Sequence, residues 1–358
     1  MLKTYKYRLY PTKEQSRKMH ETCFLCSLVY NQFLEERREA WEIFGVSLSC
    51  YEQIKALPIK KEDDPRLKQV FSQVLQDVAR RVDKTYQAFF RRVKAGETPG
   101  YPRFKPARRY NSFTYPQSGF NLDRNKLTLS KIGQVKIKLH RPLDGKVKTL
   151  TIRRQNGKWY ACFSVEIDAL PLPPTGLICG IDMGLEKFLT TSDGEMFDNP
   201  RQLRKVEKKL KQHQRRVSRR KKGSNRWKKA VRDLARCHEK VANQRRDLHH
   251  KVARSLVDRY DLIAIENLQV KNMTQNHHLA KSIADAGWGN FRLILTSKAE
   301  SAGCRVVEVD PKQTSQLCSR CGAEVKKQLS QRWHHCPVCG LSIDRDVNAA
   351  INILKRAV

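Results

Sequence analysis

Acidic residues are scarce in this sequence. Its 358 residues include 36 Asp and Glu against 71 Lys and Arg, a formal charge of +35, which leaves a polyanion as the natural partner. Long apolar runs are missing as well. No stretch approaches the roughly 18 consecutive apolar residues that a bilayer span requires, and the opening MLKTYKYRLYP has no apolar core of the signal-peptide kind. A cytoplasmic protein without membrane contact is expected. Internal repeats and low-complexity segments are absent too. Hydrophobic residues make up only 39% and charged residues 30%, yet the apolar positions fall in periodic runs, so the chain folds and carries large basic faces. Eleven cysteines is an odd number; four of them, Cys318, Cys321, Cys336 and Cys339, form two C-x-x-C pairs each followed by glycine, which favours metal binding in a reducing compartment over disulfides.

Periodicity divides the chain. Residues 3–10 alternate polar with apolar or aromatic side chains, which predicts a strand, and Pro11-Thr12 opens a helix with Thr12 and Gln15 at capping-box spacing. Met19, Cys23, Cys26, Tyr30 and Phe33 then share one helical face. A second helix is expected from Asp64-Pro65, with a stripe of Phe71, Leu75, Val78, Val82 and Phe89. From 126 to 168 the period drops to two, and Asn156-Gly157 stands where a tight hairpin turn belongs; an antiparallel sheet or small barrel is expected, completed by the N-terminal strand. The proline-rich joint PLPPTG (171–176) marks the main boundary. Beyond it LICGID, LIAIEN (262–267) and RVVEVD (305–310) read as strands, with a helix after Gly287. The expected fold is α/β plus β: a β-barrel-like domain from 1–11 and 98–172, a helical unit at 12–97 inserted in it, and an α/β domain at 173–358.

Residues 201–260 hold 23 Lys and Arg against 5 Asp and Glu, a net +18 (23 − 5), and Gly223-Ser224-Asn225 breaks them into a helical hairpin. A solvated face is the usual explanation of a charge run, but this density repels itself unless a polyanion lies near. Arg215, Arg216, Arg219, Arg220, Lys221 and Lys222 are the expected contacts to a nucleic-acid backbone, and Trp227 fits a core position better than a stacking one. In residues 100–115 (GYPRFKPARRYNSFTY) aromatics interleave with Arg and Lys; base stacking and burial of the rings are both compatible with that pattern.

Three acids carry the chemistry. Asp182 follows an apolar run in CGIDMG, where neighbouring glycines leave room for a hydrated metal and a phosphate backbone, although a strand-end Asp making a turn hydrogen bond has the same appearance. Glu266 ends LIAIE, a buried strand bearing one charge that a divalent cation would stabilise. In IDRDVNAA one of Asp344 and Asp346 can cap a helix while the other faces the metals. Acids so far apart in sequence converge only through a fold, as in an RNase H-like sheet, and the set suits two-metal phosphodiester hydrolysis with Mg²⁺ or Mn²⁺. Cys318-x-x-Cys321 and Cys336-x-x-Cys339, each followed by glycine, predict a closed, structural Zn²⁺ site in an insertion at 314–343. His334 and His335 are expected at the surface or on nucleic acid.

The ordered motifs TYKYRLYPTKEQ, GYPRFK, GIDMG, RRDLHHK, AIENL, DAGWGNF, TSQLC, CPVCG and DRDVNAAINI resemble those of the TnpB proteins of insertion sequences, relatives of type V CRISPR effectors, over nearly the whole chain. The resemblance implies a RuvC-type nuclease domain preceded by wedge and recognition domains. It implies a single chain that binds a guide RNA from its own element, recognises a short motif beside the target, and cuts double-stranded DNA in a bacterial or archaeal cytoplasm, acting at the nucleoid. By motif position the catalytic acids fall on Asp182, Glu266 and Asp346, with Asp344 a cap or auxiliary ligand. DNA contacts fall on Tyr51, Ser72, Gln76 and Thr114. The alternatives are a DNA transposase, or an RNA-guided repressor that binds without cutting.

Overall fold

The structure, a computed structural model, describes residues 1–328 and 331–358; two residues of the expected zinc insertion, 329 and 330, lie outside them. The chain divides into two compact units, Met1–Ile167 and Asp168–Val358.

In the first unit β1 (Leu2–Tyr10) leads into α1 (Lys13–Phe44), which starts where Thr12 and Gln15 exchange the capping-box hydrogen bonds. Two short helices follow, α2 (Cys50–Lys55) and α3 (Leu57–Asp63), and then α4 (Ser72–Lys94). The helix expected from Asp64 is displaced. Asp64 caps only a 3₁₀ turn at Pro65–Gln69, because Val70 and Phe71 are extended, and α4 begins after them. Its buried stripe is Val74, Leu75, Val78, Ala79, Val82 and Tyr86, so Tyr86 rather than Phe89 ends the core-facing row.

Six strands complete this unit: β2 (Ser112–Tyr115), β3 (Phe120–Asp123), β4 (Lys126–Leu129), β5 (Gly133–Lys138), β6 (Lys146–Gln155) and β7 (Lys158–Glu166). Asn156 (φ 50°) and Gly157 (φ 75°) both take left-handed conformations, the turn that joins β6 to β7 without splaying them. The antiparallel sheet runs β2-β6-β7-β1-β5-β4-β3. Among the described residues no pairing joins β2 to β3, so of the two expected forms, antiparallel sheet or small barrel, the ladder takes the open sheet. Sheet and helices share one core, including Tyr7, Phe33, Leu75, Phe113 and Phe163.

The second unit is built on β8 (Ile178–Asp182), β9 (Lys187–Thr191), β10 (Met196–Asp198), then α5 (Gln202–Ser218) and α6 (Asn225–Val257), β11 (Leu262–Glu266), α7 (Val270–Met273), α8 (His277–Ala286), α9 (Trp288–Ala302) and β12 (Arg305–Val309). A two-stranded ribbon, β13 (Trp333–His335) with β14 (Ser342–Asp344), precedes α10 (Arg345–Lys355). The main sheet has the order β10-β9-β8-β11-β12, with the β8–β11 and β11–β12 pairings parallel and the β8–β9 and β9–β10 pairings antiparallel.

Side-chain alternation sorts its two faces. Cys179, Ile181, Ile263 and Ile265 join the core made with α6, α8 and α9. Leu262 and Ala264 face the other way, onto Ile353 and Leu354 of α10. His249 belongs to the first face: it is buried, stacked on Phe188 at 5.2 Å, with Nε2 3.0 Å from the Ala286 carbonyl oxygen. Among the described residues no helix is long and apolar enough to cross a membrane.

Candidate metal centres and nucleic-acid interface

Parallel register brings two of the acids together. Gly180 pairs with Ala264 and Ile181 with Ile265, so the next step sets Asp182 beside Glu266 at the carboxyl ends of adjacent strands. Ligands of open α/β sheets gather at such ends. By alternation both carboxylates leave the sheet on the α10 face. There Gly180 decides the geometry: a Cβ on it would lie 2.1 Å from the Ala350 carbonyl oxygen and 2.7 Å from Leu354 N. Its missing side chain accommodates the backbone of α10, not a metal or a phosphate as expected from sequence. The close approach carries Asp346, one helical turn before Ala350, toward Asp182. Asp344 is committed to the helix, its Oδ1 accepting from Asp346 N at 2.8 Å and Val347 N at 3.2 Å.

Crowded like charges define the electrostatics. Burial first, then the Glu266 and Asp346 carboxylates, push Asp182 well above the usual carboxylate range, against the pull of Arg345. Burial also raises Glu266, which is opposed by a hydrogen bond from Thr314 Oγ1 to its Oε1 at 2.5 Å and by Arg356. Asp346 has cationic neighbours, Arg345 at 3.3 Å and Arg332 at 3.9 Å, and Arg332 also pairs with Glu186 at 2.5 Å. Hard oxygen donors in mutual repulsion are a setting that a divalent cation relieves. Glu266 and Asp346 are close enough to perturb Asp182. Among the described residues, however, only the cysteine quartet is gathered tightly enough to hold a single ion.

In that quartet all four Sγ atoms lie within 4.8 Å of one another, with Cys318–Cys339 and Cys321–Cys336 at 3.6 Å. Tetrahedral zinc with Zn–S near 2.3 Å implies S–S edges of about 3.8 Å, so the sulfurs fit that ion. Local backbone sets them twice in the same way. Gly322 N donates to Cys318 O and Gly340 N to Cys336 O, each glycine at positive φ. Backbone N–H groups of Cys339 and then Val338 draw Cys336 down to about 6. Cys321 goes the other way. Although the Ala323 N–H favours its thiolate, burial and hydrogen bonds to the other sulfurs push it up to about 12.

His334 is not at the surface as expected. It is fully buried, since alternation in β13 turns it inward while Trp333 and His335 point out, and its Nδ1 meets Lys327 Nζ. The sequence reading missed the residues that tie the segment of the first cysteine knuckle, Thr314 to Ser319, to α10. Asn348 Oδ1 accepts from Ser319 N, Asn348 Nδ2 donates to Leu317 O, and Asn352 Nδ2 donates to Thr314 O and Leu317 O. Buried amides on the apolar face of NAAIN were the available signal. Thr314 and Arg332 were missed with no signal that spacing could supply.

The basic hairpin forms from α5 and α6, with Ser224 capping α6 and Trp227 half-buried. Arg215, Arg216, Arg219, Arg220, Lys221 and Lys222 are all exposed and form no ion pair among the described residues. The four arginines and Gln212 line a groove of about 470 Å³. In the first unit Tyr51 is exposed with Lys55 Nζ 4.9 Å over its ring, and Ser72 and Gln76 share one side of α4. Ser72 Oγ accepts from Lys61 Nζ at 2.7 Å. Thr114 is already engaged, its hydroxyl meeting Arg81 Nη2 at 2.7 Å and Thr151 at 2.9 Å.

Comparisons with known proteins agree along the chain. A family profile described as "Probable transposase" matches residues 162–277, one described as "Cas12f1-like, TNB domain" matches 288–353, and one described as "Helix-turn-helix domain" matches 1–45. Those last residues form β1 and a single helix, α1, here. A relative from Escherichia coli (strain K12), provisionally named RNA-guided DNA endonuclease InsQ, is 33% identical over 99% of this chain and 92% of its own. One from Streptomyces pristinaespiralis, provisionally named RNA-guided DNA endonuclease, is 36% identical over 98% of this chain and 88% of its own. A solved structure of CasPhi-2 (Cas12j) bound to crRNA superposes at TM-score 0.49 with 10% identity, covering 100% of this chain and 98% of that one. On similarity that spans the chain from end to end, this protein belongs to the TnpB/OrfB family of RNA-guided nucleases.

Proposed function

We propose that this chain is a metal-dependent, RNA-guided endonuclease that cuts double-stranded DNA beside a short flanking motif, within a bacterial or archaeal cytoplasm. The observation that supports the cutting step is the placement of Asp182 and Glu266 at the carboxyl ends of adjacent strands β8 and β11, with Asp346 at the start of α10 near enough to help raise the Asp182 carboxyl. The five-stranded order with acids at that edge supports an RNase H-like, RuvC-type fold for the second unit. Relatives named for the same activity support the guide RNA and the DNA substrate.

Asp182, Glu266 and Asp346 are the residues that hold Mg²⁺ or Mn²⁺, which supplies an activated water and stabilisation of the leaving oxygen. Thr314 orients Glu266, and Asp344 keeps Asp346 on the metal side by capping the helix. The cysteine quartet holds structural zinc, stiffening the ribbon that delivers Arg332 and α10. Arg215 through Lys222 contact nucleic-acid backbone, and Tyr51, Ser72, Gln76 and Thr114 contact the flanking duplex, Thr114 after exchanging a present partner. Sequence is read by base pairing, while protein contacts handle backbone and flanking motif.

The test is to purify the chain with its RNA, sequence that RNA, and offer matched duplex DNA with Mg²⁺. Cleavage that is lost in Asp182→Ala while guided binding persists is the expected result. Binding without cleavage by the wild type would favour the repressor. Joining of DNA ends would favour a transposase, the reading to which the "Probable transposase" description points.

A further inference from the structure

The aromatic-rich stretch after α4 has two fates. Tyr110, Phe113 and Tyr115 are buried in the core of the first unit. Phe90 and Tyr101 are not: they are 54% and 46% exposed. Neither ring is loose. Phe90 stacks on Tyr86 at 6.3 Å and 29°, and Phe89 meets Phe90 edge-on at 5.2 Å and Tyr101 at 5.5 Å. The Tyr86 and Tyr101 hydroxyls lie 3.1 Å apart. Four rings therefore brace one another while two of them stay open to solvent.

Their neighbours along the chain are cationic. Residues 86–109 hold seven Lys and Arg and one acid, Glu97. Arg91, Lys94 and Arg103 are exposed and form no ion pair among the described residues. Aromatics and Arg also suit protein–protein interfaces, but Lys is depleted there, and an apolar partner would leave Arg91, Lys94 and Arg103 without counter-charges. A strand with π faces and phosphates matches both features. Duplex DNA offers base edges in its grooves, not faces. A displaced DNA strand exists only after the duplex opens, whereas a folded RNA supplies unpaired bases at once, and aromatic stacking is how such bases are held.

We propose that Tyr86, Phe89, Phe90 and Tyr101 form a stacking platform for unpaired bases of the bound RNA, with Arg91, Lys94 and Arg103 meeting its phosphates. The inference rests on the RNA-guided reading above. Tyr86 and Phe89 are positioning residues; Phe90 and Tyr101 present the faces.

The test uses the full chain and the RNA that co-purifies with it, transcribed with 4-thiouridine. Irradiation of the complex is expected to attach RNA to Phe90 or Tyr101, mapped by mass spectrometry. Phe90→Tyr and Phe90→Trp are expected to keep wild-type RNA affinity, while Phe90→Leu and Phe90→Ala weaken it about tenfold. A Phe90→Leu chain with wild-type affinity overturns the platform, because packing rather than stacking then suffices. Adducts confined to thiolated DNA overturn it in favour of a DNA strand. Should Phe90→Leu misfold, the adduct map on the wild-type chain decides alone. Failure of the wild type to bind RNA sinks the functional reading itself; RNA binding and cleavage with an indifferent Phe90→Leu sink only the platform.

Discussion

Gly180 and Ala350 lie so close that a single methyl on the first would come within 2.1 Å of the carbonyl oxygen of the second. The obstacle is helix backbone, which cannot turn aside as a flexible side chain can. Gly180→Ala is therefore expected to push α10 outward, to cost about 1–3 kcal/mol or more of stability, and to remove Asp346 from Asp182. Gly289, with nothing within 4 Å of its virtual Cβ and ordinary helical φ, serves as the control. Urea unfolding and cleavage assays on both alanine variants check this; equal behaviour of the two would refute it.

Asp182 supplies a pH prediction. Its folded pKa stands above the ordinary 3.8 through burial, Glu266 and Asp346. A carboxyl raised in this way contributes stability that is present below the unfolded value and lost as pH rises through the folded one. Metal-free wild type is thus expected to lose stability relative to Asp182→Asn from about pH 4 upward. Added Mg²⁺ should close the gap. Melting temperatures across pH, with and without metal, measure it, and parallel curves would count against the crowded-acid picture.

Thr314→Val removes the hydroxyl that donates to Glu266 Oε1. Partners behind a metal ligand typically contribute about 10- to 100-fold in affinity or activity. A rise of that order in the Mg²⁺ concentration for half-maximal cleavage is expected, with the cysteine site untouched. An unchanged Mg²⁺ profile would show that Thr314 only closes its loop.

The cysteine quartet is expected to hold about one Zn²⁺ per chain, measured by elemental analysis. Cys318→Ser, or a strong chelator, should release it and lower the melting temperature, because ligand thiolates brought together without metal lose their reason to stay folded. Loss should spread to cleavage through Asn348 and Asn352, which fasten the first cysteine knuckle to α10. Protein purified under metal-replete conditions and free of zinc would remove this reading.

Replacing Arg215, Arg216, Arg219 and Arg220 together with Ala removes four exposed charges from one groove. If these meet backbone phosphates, the salt dependence of nucleic-acid affinity should flatten, by about 0.7–0.9 in the log–log slope for each phosphate no longer neutralised. The effect should be the same for unrelated guide sequences. Weaker binding at an unchanged slope would place the hairpin's role elsewhere.

What could be read from sequence was what depends on near neighbours along the chain. The Thr12–Gln15 capping box, the Asn156-Gly157 turn, the break at residues 223–225 and the two C-x-x-C knuckles all settle their geometry within a few residues, so spacing alone identifies them. The alternation that starts at β1 is equally local. Where local signals competed, the reading slipped. Asp64-Pro65 is a sound helix opening, yet extended Val70 and Phe71 cut it short because Val70 buries its side chain there.

The acids are the other case. Apolar runs put Asp182 and Glu266 at strand ends, but nothing in the sequence states that those strands are parallel neighbours in matching register. That pairing is long-range backbone hydrogen bonding, decided only when the sheet assembles. The division of labour between Asp344 and Asp346 was likewise open to a reader of residues: either can cap or face outward. Tertiary structure separates them: Asp344 accepts from the first N–H groups of α10, and the seating of that helix on the bare backbone at Gly180 leaves Asp346 near enough to help raise the Asp182 carboxyl.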